Sequence, residues 1–188
     1  DSLLQKSFKE LRTQFYDTNS DVEASLYADV YLKKAKQLQD SKKIIDGYYY
    51  KSLLHSGPLR IVYTDSLIKF SSKEPDHYFM ENALVIKAGD FFEARSYKKA
   101  LSLYLEAQQY AKKSNNKRAL FNIEYNIGVI YNLTGFYVSG LNTFKKSLKN
   151  FEKLDIQDKE RKLRIMSSIV ASYRQLGAYD SVTYYTTK

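Results

Sequence analysis

The sequence repeats one arrangement of large and small side chains about every 36 to 40 residues. In its clearest copy the offsets are 3, 4 and 3 residues, and the members are Tyr97, Ala100, Tyr104 and Ala107. Three more copies share the register: Ser25, Ala28, Leu32, Ala35; Ile61, Thr64, Ile68, Ser71; and Tyr137, Gly140, Phe144, Ser147. Such offsets place all four members on one helix face, where the small residues let a neighbouring helix approach closely.

A second motif precedes the later copies. Ile127-Gly128-x2-Tyr131, followed by Gly135, recurs as Ile169-Val170-x2-Tyr173, followed by Gly177. Gly128 permits a close helix crossing, and we expect Gly135 to end its helix in a tight turn. Each repeat is therefore predicted to contain two antiparallel helices joined by a short turn.

Together, Ile127-Gly128-x2-Tyr131 and Gly140-x3-Phe144-x2-Ser147 resemble the tetratricopeptide repeat signature. The resemblance is clearest over 81–188, and the repeats over 1–80 are degenerate. Two features depart from the family: the spacing exceeds its usual 34 residues, and its early Trp is replaced by Leu84, Glu124 and Met166. The resemblance implies an all-α fold, a right-handed superhelical stack of about five antiparallel helix pairs, in which the last pair is incomplete.

The periodicity predicts ten helices, with end errors of about 2–4 residues. They span about 2–16, 21–39, 41–56, 59–71, 77–95, 97–113, 116–134, 137–154, 158–176 and 179–188. No linker interrupts this order, so we expect a single domain over 1–188. The last helix is shorter than its counterparts, which is the expectation for a fragment of a longer protein.

Charge and composition exclude several classes of function. The chain has 30 Lys and Arg against 21 Asp and Glu, a net charge of +9, and no Cys. Disulfides and thiolate metal sites are therefore excluded, and no apolar run reaches the roughly 18 residues of a membrane span. The basic residues occur as scattered doublets, which are typical of solvated helix faces, so we expect no specific nucleic-acid binding.

The sequence offers no catalytic constellation. His55-Ser56-Gly57 lacks the Gly-x-Ser-x-Gly turn of a nucleophile, and Glu74-Pro75-Asp76-His77 is interpreted as a loop and capping segment instead of a metal site. No Gly-rich phosphate loop is present. We therefore expect no enzymatic activity, no metal and no cofactor.

The candidate binding site follows from the resemblance. In the family, the first helix of each pair lines the concave groove of the stack. In this sequence the groove residues would be Asn82, Val85, Ile86, Asn122, Tyr125, Asn126, Val129, Asn132, Arg164, Ser167, Ser168 and Arg174. Amides can hydrogen-bond an extended peptide backbone, and Arg can hold a carboxylate through two parallel hydrogen bonds.

The expected function is that of a protein- or peptide-binding module. Residues 28–36, followed by Asp46-Gly47-Tyr48-Tyr49-Tyr50, resemble the N-terminal repeats of bacterial membrane-tethered signalling and transcription regulators. That resemblance implies a sensory region on the periplasmic side of an inner membrane, with a cytoplasmic location as the alternative. Two other functions stay open: a self-assembly scaffold that forms homodimers, and nonspecific binding of nucleic acid through the basic surface.

Overall fold

The computed structural model describes residues 2–73, 77–154 and 158–186. Within these ranges the chain forms helices and no strand. The helices are α1 Ser2–Gln5, α2 Phe8–Asp17, α3 Asp21–Gln37, α4 Ser41–Leu54, α5 Gly57–Ser71, α6 His77–Glu93, α7 Tyr97–Lys113, α8 Lys117–Leu133, α9 Tyr137–Glu152, α10 Lys159–Gln175 and α11 Tyr179–Thr186. The predicted all-α fold class is thus confirmed. Glu74, Pro75, Asp76 and the side chain of His77 lie outside the described part.

The predicted helix boundaries agree with these bounds to about two residues, except at the start of the chain, where the single helix predicted over 2–16 is wrong. A capping box at Ser7 divides it into α1 and α2. The backbone N–H of Glu10 donates to Ser7 Oγ at 3.2 Å, and the N–H of Ser7 donates to Glu10 Oε2 at 2.7 Å. These two bonds satisfy donors that a helix start leaves unpaired, so a new helix begins here.

The helices group into two compact units, residues 1–90 and 91–188. Within the first unit α2 packs on α3, α3 on α4 and α4 on α5; within the second unit α7 packs on α8, α8 on α9, α9 on α10 and α10 on α11. A single domain over 1–188 stays a prediction.

Tight turns join the helices of each pair in the second unit. In the α8–α9 turn, Gly135 has a φ of 82°, and the N–H of Phe136 donates to Tyr131 O at 2.8 Å. Gly177 has a φ of 70° in the α10–α11 turn. A left-handed residue closed by such a bond ends a helix and reverses the chain, so consecutive helices lie antiparallel.

The small residue at the fourth repeat position is buried in every copy. Ala35, Ser71, Ala107 and Ser147 are each at most 2% exposed. Ser147 also donates a hydrogen bond from its hydroxyl to the carbonyl of Phe121, at 2.8 Å. The pattern therefore identified the positions at which helices approach most closely.

Aromatic side chains fill the space between the helices of both units. In the first unit Phe15, Tyr31 and Tyr50 form one cluster, with ring centroids 4.7 Å apart for Phe15–Tyr50 and 5.1 Å for Tyr31–Tyr50. In the second unit Phe121 and Phe151 meet edge to face at 5.3 Å. Geometries of this kind are favoured by aromatic pairs, and each ring buries a large apolar area.

Candidate functional site

A polar pocket lies between α8 and α10 in the second unit. Its volume is about 140 Å³, and its lining residues are Phe121, Asn122, Tyr125, Asn126, Arg161, Arg164 and Ile165. Both helices are the first members of their pairs, the helices on which the groove was predicted. The pocket brings together four of the predicted groove residues, namely Asn122, Tyr125, Asn126 and Arg164.

The base of the pocket is held in place by core packing. Phe121 and Ile165 are buried in the hydrophobic cluster of this unit. The ring of Tyr125 packs against Phe144 with centroids 5.6 Å apart, and its hydroxyl oxygen lies 3.5 Å from Ser168 Oγ. Such contacts restrict the rings to fixed rotamers, so a ligand would meet a preformed surface.

The two amides differ in their hydrogen bonding. Asn122 donates from its side chain to the carbonyl of Arg118 at 3.0 Å, one helical turn earlier. Within the described part of the chain, the half-buried side chain of Asn126 makes no such bond. Because an amide carries both donor and acceptor groups, Asn126 is free to pair with the backbone of a ligand.

Two guanidinium groups line the α10 side of the pocket. Arg164 pairs with Glu160 of the same helix at 3.2 Å, and Arg161 pairs with Asp158, the residue that caps the start of α10, at 3.3 Å. The guanidinium of Arg161 also lies over the ring of Phe121, 5.6 Å from its centroid. Exposed pairs of this type contribute little to stability, so a ligand carboxylate can replace the partners of both arginines.

Arg161 is a pocket residue that the sequence analysis missed. It precedes Arg164 by three residues, and residues at i and i+3 share a helix face. This spacing was visible in the sequence. The predicted groove, which was taken from the family register, begins at Arg164 on this helix and therefore does not include Arg161.

Three other predicted residues serve helix packing. Asn132 donates from its side chain to Ser172 Oγ at 2.8 Å, which ties the end of α8 to α10. The hydroxyl of Ser168 donates to the carbonyl of Arg164 at 3.1 Å, and Val129 packs against the core cluster. The spacing placed these side chains on the face predicted for the groove but could not distinguish contact with a neighbouring helix from exposure to a ligand.

Ser167 and Arg174 line a different cleft. It lies on α10 and α11, has a volume of about 360 Å³, and is otherwise mainly apolar, with Leu163, Met166 and Val170 among its lining residues. Asn82, Val85 and Ile86 are half-buried on α6 in the first unit. Their role as groove residues stays a prediction.

A buried carboxylate stands where the family carries its early Trp. Glu124 is 1% exposed. It accepts hydrogen bonds from Gln108 Nε2 at 3.2 Å and from Asn150 Nδ2 at 2.6 Å, and it pairs with Lys146 at 2.9 Å. Because both carboxylate oxygens are engaged by α7 and α9, this group joins three helices.

Two further features of the described residues concern metal binding and membrane insertion. No group of three or more His, Asp or Glu side chains there could hold a metal ion. No described helix combines the length and apolar character needed to cross a bilayer.

The fold has known counterparts, although no family model and no curated protein matches the sequence. The apo form of RapI superposes with a TM-score of 0.81 at 17% identity, over 95% of this chain and 65% of that one. A signal transduction ATPase with numerous domains, which has a tetratricopeptide repeat sensor and comes from Pyrococcus horikoshii, superposes at 0.80 with 15% identity, over 96% and 29%. BtubC from P. vanneervenii gives 0.73 and 15%, over 98% and 85%.

These likenesses establish the fold. The chain is an all-α helical repeat of the tetratricopeptide type, as the motifs at Gly128 and Gly140 predicted. It spans 65% of the RapI chain and 29% of the signal transduction ATPase.

Proposed function

We propose that this chain is a protein- or peptide-binding module and that the α8–α10 pocket contacts its ligand. The observation that carries the proposal is the unpaired amide of Asn126, held beside two guanidinium groups over a fixed aromatic base. Because no described side chain or backbone group pairs with this amide, its donor and acceptor groups are available to a ligand.

The size and charge of the pocket favour an acidic peptide. Its volume of about 140 Å³ is below the roughly 300–1,000 Å³ typical of sites for small molecules, so it suits one side chain of a longer ligand. Arg161 and Arg164 line it, and none of its described lining residues is a carboxylate. We infer that Asn126 pairs with the peptide backbone while the arginines hold an aspartate, a glutamate or a terminal carboxylate.

A sensory role in a larger signalling protein is the finer proposal. One of the structural counterparts carries a tetratricopeptide repeat sensor within a chain of which this one spans 29%. A repeat unit of this kind would receive a peptide or protein signal and pass it to an output domain. The compartment, periplasmic or cytoplasmic, stays a prediction.

A selection experiment tests the binding proposal. A library of random peptides would be displayed and selected on the wild-type chain, on Asn126→Ala/Arg164→Ala and on a matched control, Asn142→Ala/Arg12→Ala. Asn142 and Arg12 are exposed residues of the same types outside the pocket. We expect the wild type and the control to enrich the same acidic peptides and the pocket variant to bind them at least about tenfold more weakly.

Two results would contradict the proposal. The pocket is not the site if the control loses as much affinity as the pocket variant. The function is not peptide binding if no peptide is enriched on a folded wild-type chain, as shown by its helical circular dichroism spectrum.

Self-association is the second candidate, because the cleft on α10 and α11 exposes apolar surface. Leu163, which lines it, is 62% exposed. Analytical ultracentrifugation of the wild type and of Leu163→Ser would test this function. A dimer that Leu163→Ser dissociates would support it, and a wild-type monomer at all concentrations would exclude it.

A further inference from the structure

The first compact unit has a cleft of its own, between the start of α3 and the end of α4. Its volume is about 480 Å³, which falls in the range of ligand-binding sites. The lining residues are Asp21, Val22, Ser25, Leu26, Asp29, Leu54 and His55. None of them belongs to the predicted groove.

A fixed polar layer lies behind this cleft. Lys51 is 4% exposed, pairs with Asp29 at 2.6 Å and lies over the ring of Tyr63, 5.3 Å from its centroid. His55 stacks on the same ring with centroids 5.1 Å apart. Because Lys51 and Tyr63 come from neighbouring helices, this layer fixes the end of α4 against α3 and α5.

His55 contributes a polar atom without a partner. Its Nε2 is buried and makes no hydrogen bond to any described residue. Burial, reinforced by the charge of Lys51, lowers the pKa of His55. At neutral pH the imidazole therefore adds no positive charge to the cleft.

The cleft wall exposes apolar side chains. Val22 is 81% exposed and Leu26 is 49% exposed. They are four residues apart on α3 and so share one face. Leu54 of α4 completes the apolar surface. Apolar residues that are grouped in a concave site, beside polar groups, are a recognised mark of a binding surface.

The local charge is negative, although the whole chain carries +9. Residues 17–29 contain four carboxylates and no Lys or Arg. Residues 52–59 contain no Asp, Glu, Lys or Arg. The lysines of α3 begin at Lys33, about two turns beyond Leu26 along the helix axis. Lys51 and Asp29 neutralise each other, so the excess negative charge near the cleft comes from Asp17, Asp21 and Glu23.

We propose that this cleft is a second docking site, whose ligand is an amphipathic peptide segment with apolar and basic side chains. The apolar side chains would cover Val22, Leu26 and Leu54. The basic ones would face Asp21 and the neighbouring carboxylates. A ligand of this class is opposite in charge to the one proposed for the α8–α10 pocket, so the two sites would take different partners.

Two synthetic peptides test the proposal on the full 188-residue chain. In one, leucines follow the i, i+3, i+4 pattern and the remaining positions are lysine or alanine; in the other, glutamate replaces lysine. We expect the lysine peptide to bind to the cleft despite the net positive charge of the protein. Val22→Ser/Leu26→Ser should weaken its binding about tenfold or more, because two apolar contacts are lost.

The matched control is Leu38→Ser. Leu38 is 62% exposed at the far end of α3, outside the cleft. All three replaced residues are exposed, so the melting temperatures should stay close to that of the wild type, and Leu38→Ser should bind the lysine peptide normally. Asp21→Asn should reduce the preference for the lysine peptide over the glutamate peptide.

Three outcomes would overturn the proposal. The lysine peptide could fail to bind, Val22→Ser/Leu26→Ser could bind it as tightly as the wild type, or Leu38→Ser could lose as much affinity. Self-association of the wild-type chain that Val22→Ser/Leu26→Ser abolishes, without peptide binding, would assign the cleft to a second copy instead.

Discussion

Gly128 is the residue at which the close packing of helix pairs can be tested most sharply. A Cβ atom added to it would lie 2.7 Å from Phe144 Cε1 and 2.8 Å from Cδ1. Phe144 is 1% exposed and packs against Tyr125. Since the ring is enclosed, Gly128→Ala would push α8 and α9 apart or force the ring out of its rotamer.

The expected change in the free energy of unfolding of Gly128→Ala is the sum of two opposed effects. Alanine in a helix interior is about 0.5–1 kcal/mol more favourable than glycine. Overpacking a close contact costs about 1–3 kcal/mol, and two ring atoms nearer than 3 Å place this case in the upper part of that range. We expect Gly128→Ala to lower the free energy of unfolding by about 1–2 kcal/mol.

Gly89→Ala is the matched control. Gly89 also lies in a helix interior, in α6, and a Cβ there meets no described atom within 4 Å. Only the propensity effect remains, so we expect Gly89→Ala to stabilise the chain by about 0.5–1 kcal/mol. The same chemical change is thus predicted to have opposite signs at the two positions.

Urea unfolding followed by circular dichroism would measure both variants. Adding Phe144→Leu to Gly128→Ala should recover part of the loss, because the smaller side chain makes room for the new Cβ, and a double-mutant cycle would show this as coupling. The reasoning is refuted if both alanine substitutions stabilise the chain equally or if the cycle is additive.

Two further predictions concern buried polar groups. Glu124→Ala should cost about 2–3 kcal/mol, because Gln108 and Asn150 lose a charged acceptor. Lys146→Ala should cost less, because the buried carboxylate of Glu124 loses its cation but keeps both amide donors. Urea midpoints that are equal for the two variants would contradict this. The pKa of His55 is lowered in the folded chain, so the unfolded chain takes up a proton first as the pH falls. The free energy of unfolding should therefore decrease below about pH 6.5, and it should decrease less in His55→Phe. Identical pH profiles of unfolding for the two proteins would show that His55 contributes nothing.

The helical repeat could be predicted from the sequence because its signals are local. Ala107 and Ser147 occupy the same position in two copies of the repeat, and Gly135 marks a turn through its freedom to adopt a positive φ. The division between α1 and α2 was missed although its cause, the pair Ser7 and Glu10, is also local. Hydrophobic periodicity alone does not show this helix break, because a capping box can lie inside an amphipathic stretch.

The candidate site could be predicted only in part, because its members depend on neighbouring helices. Asn126 and Asn132 look alike in the sequence, and both lie on the same helix. In the structure Asn132 is bonded to Ser172, forty residues away, while Asn126 faces the pocket. Contacts at such separations are set by how α8 and α10 pack, which the spacing of residues within one helix does not specify.

The proposed ligand contact at Asn126 can be observed directly by NMR. The side-chain amide signals of Asn126 and Asn142 would be assigned by comparison with their alanine variants and followed while an acidic peptide from the selection is added. We expect the Asn126 signals to shift in a saturable manner and those of Asn142, on α9, to stay in place. Unchanged Asn126 signals at a peptide concentration that saturates the protein would contradict the account.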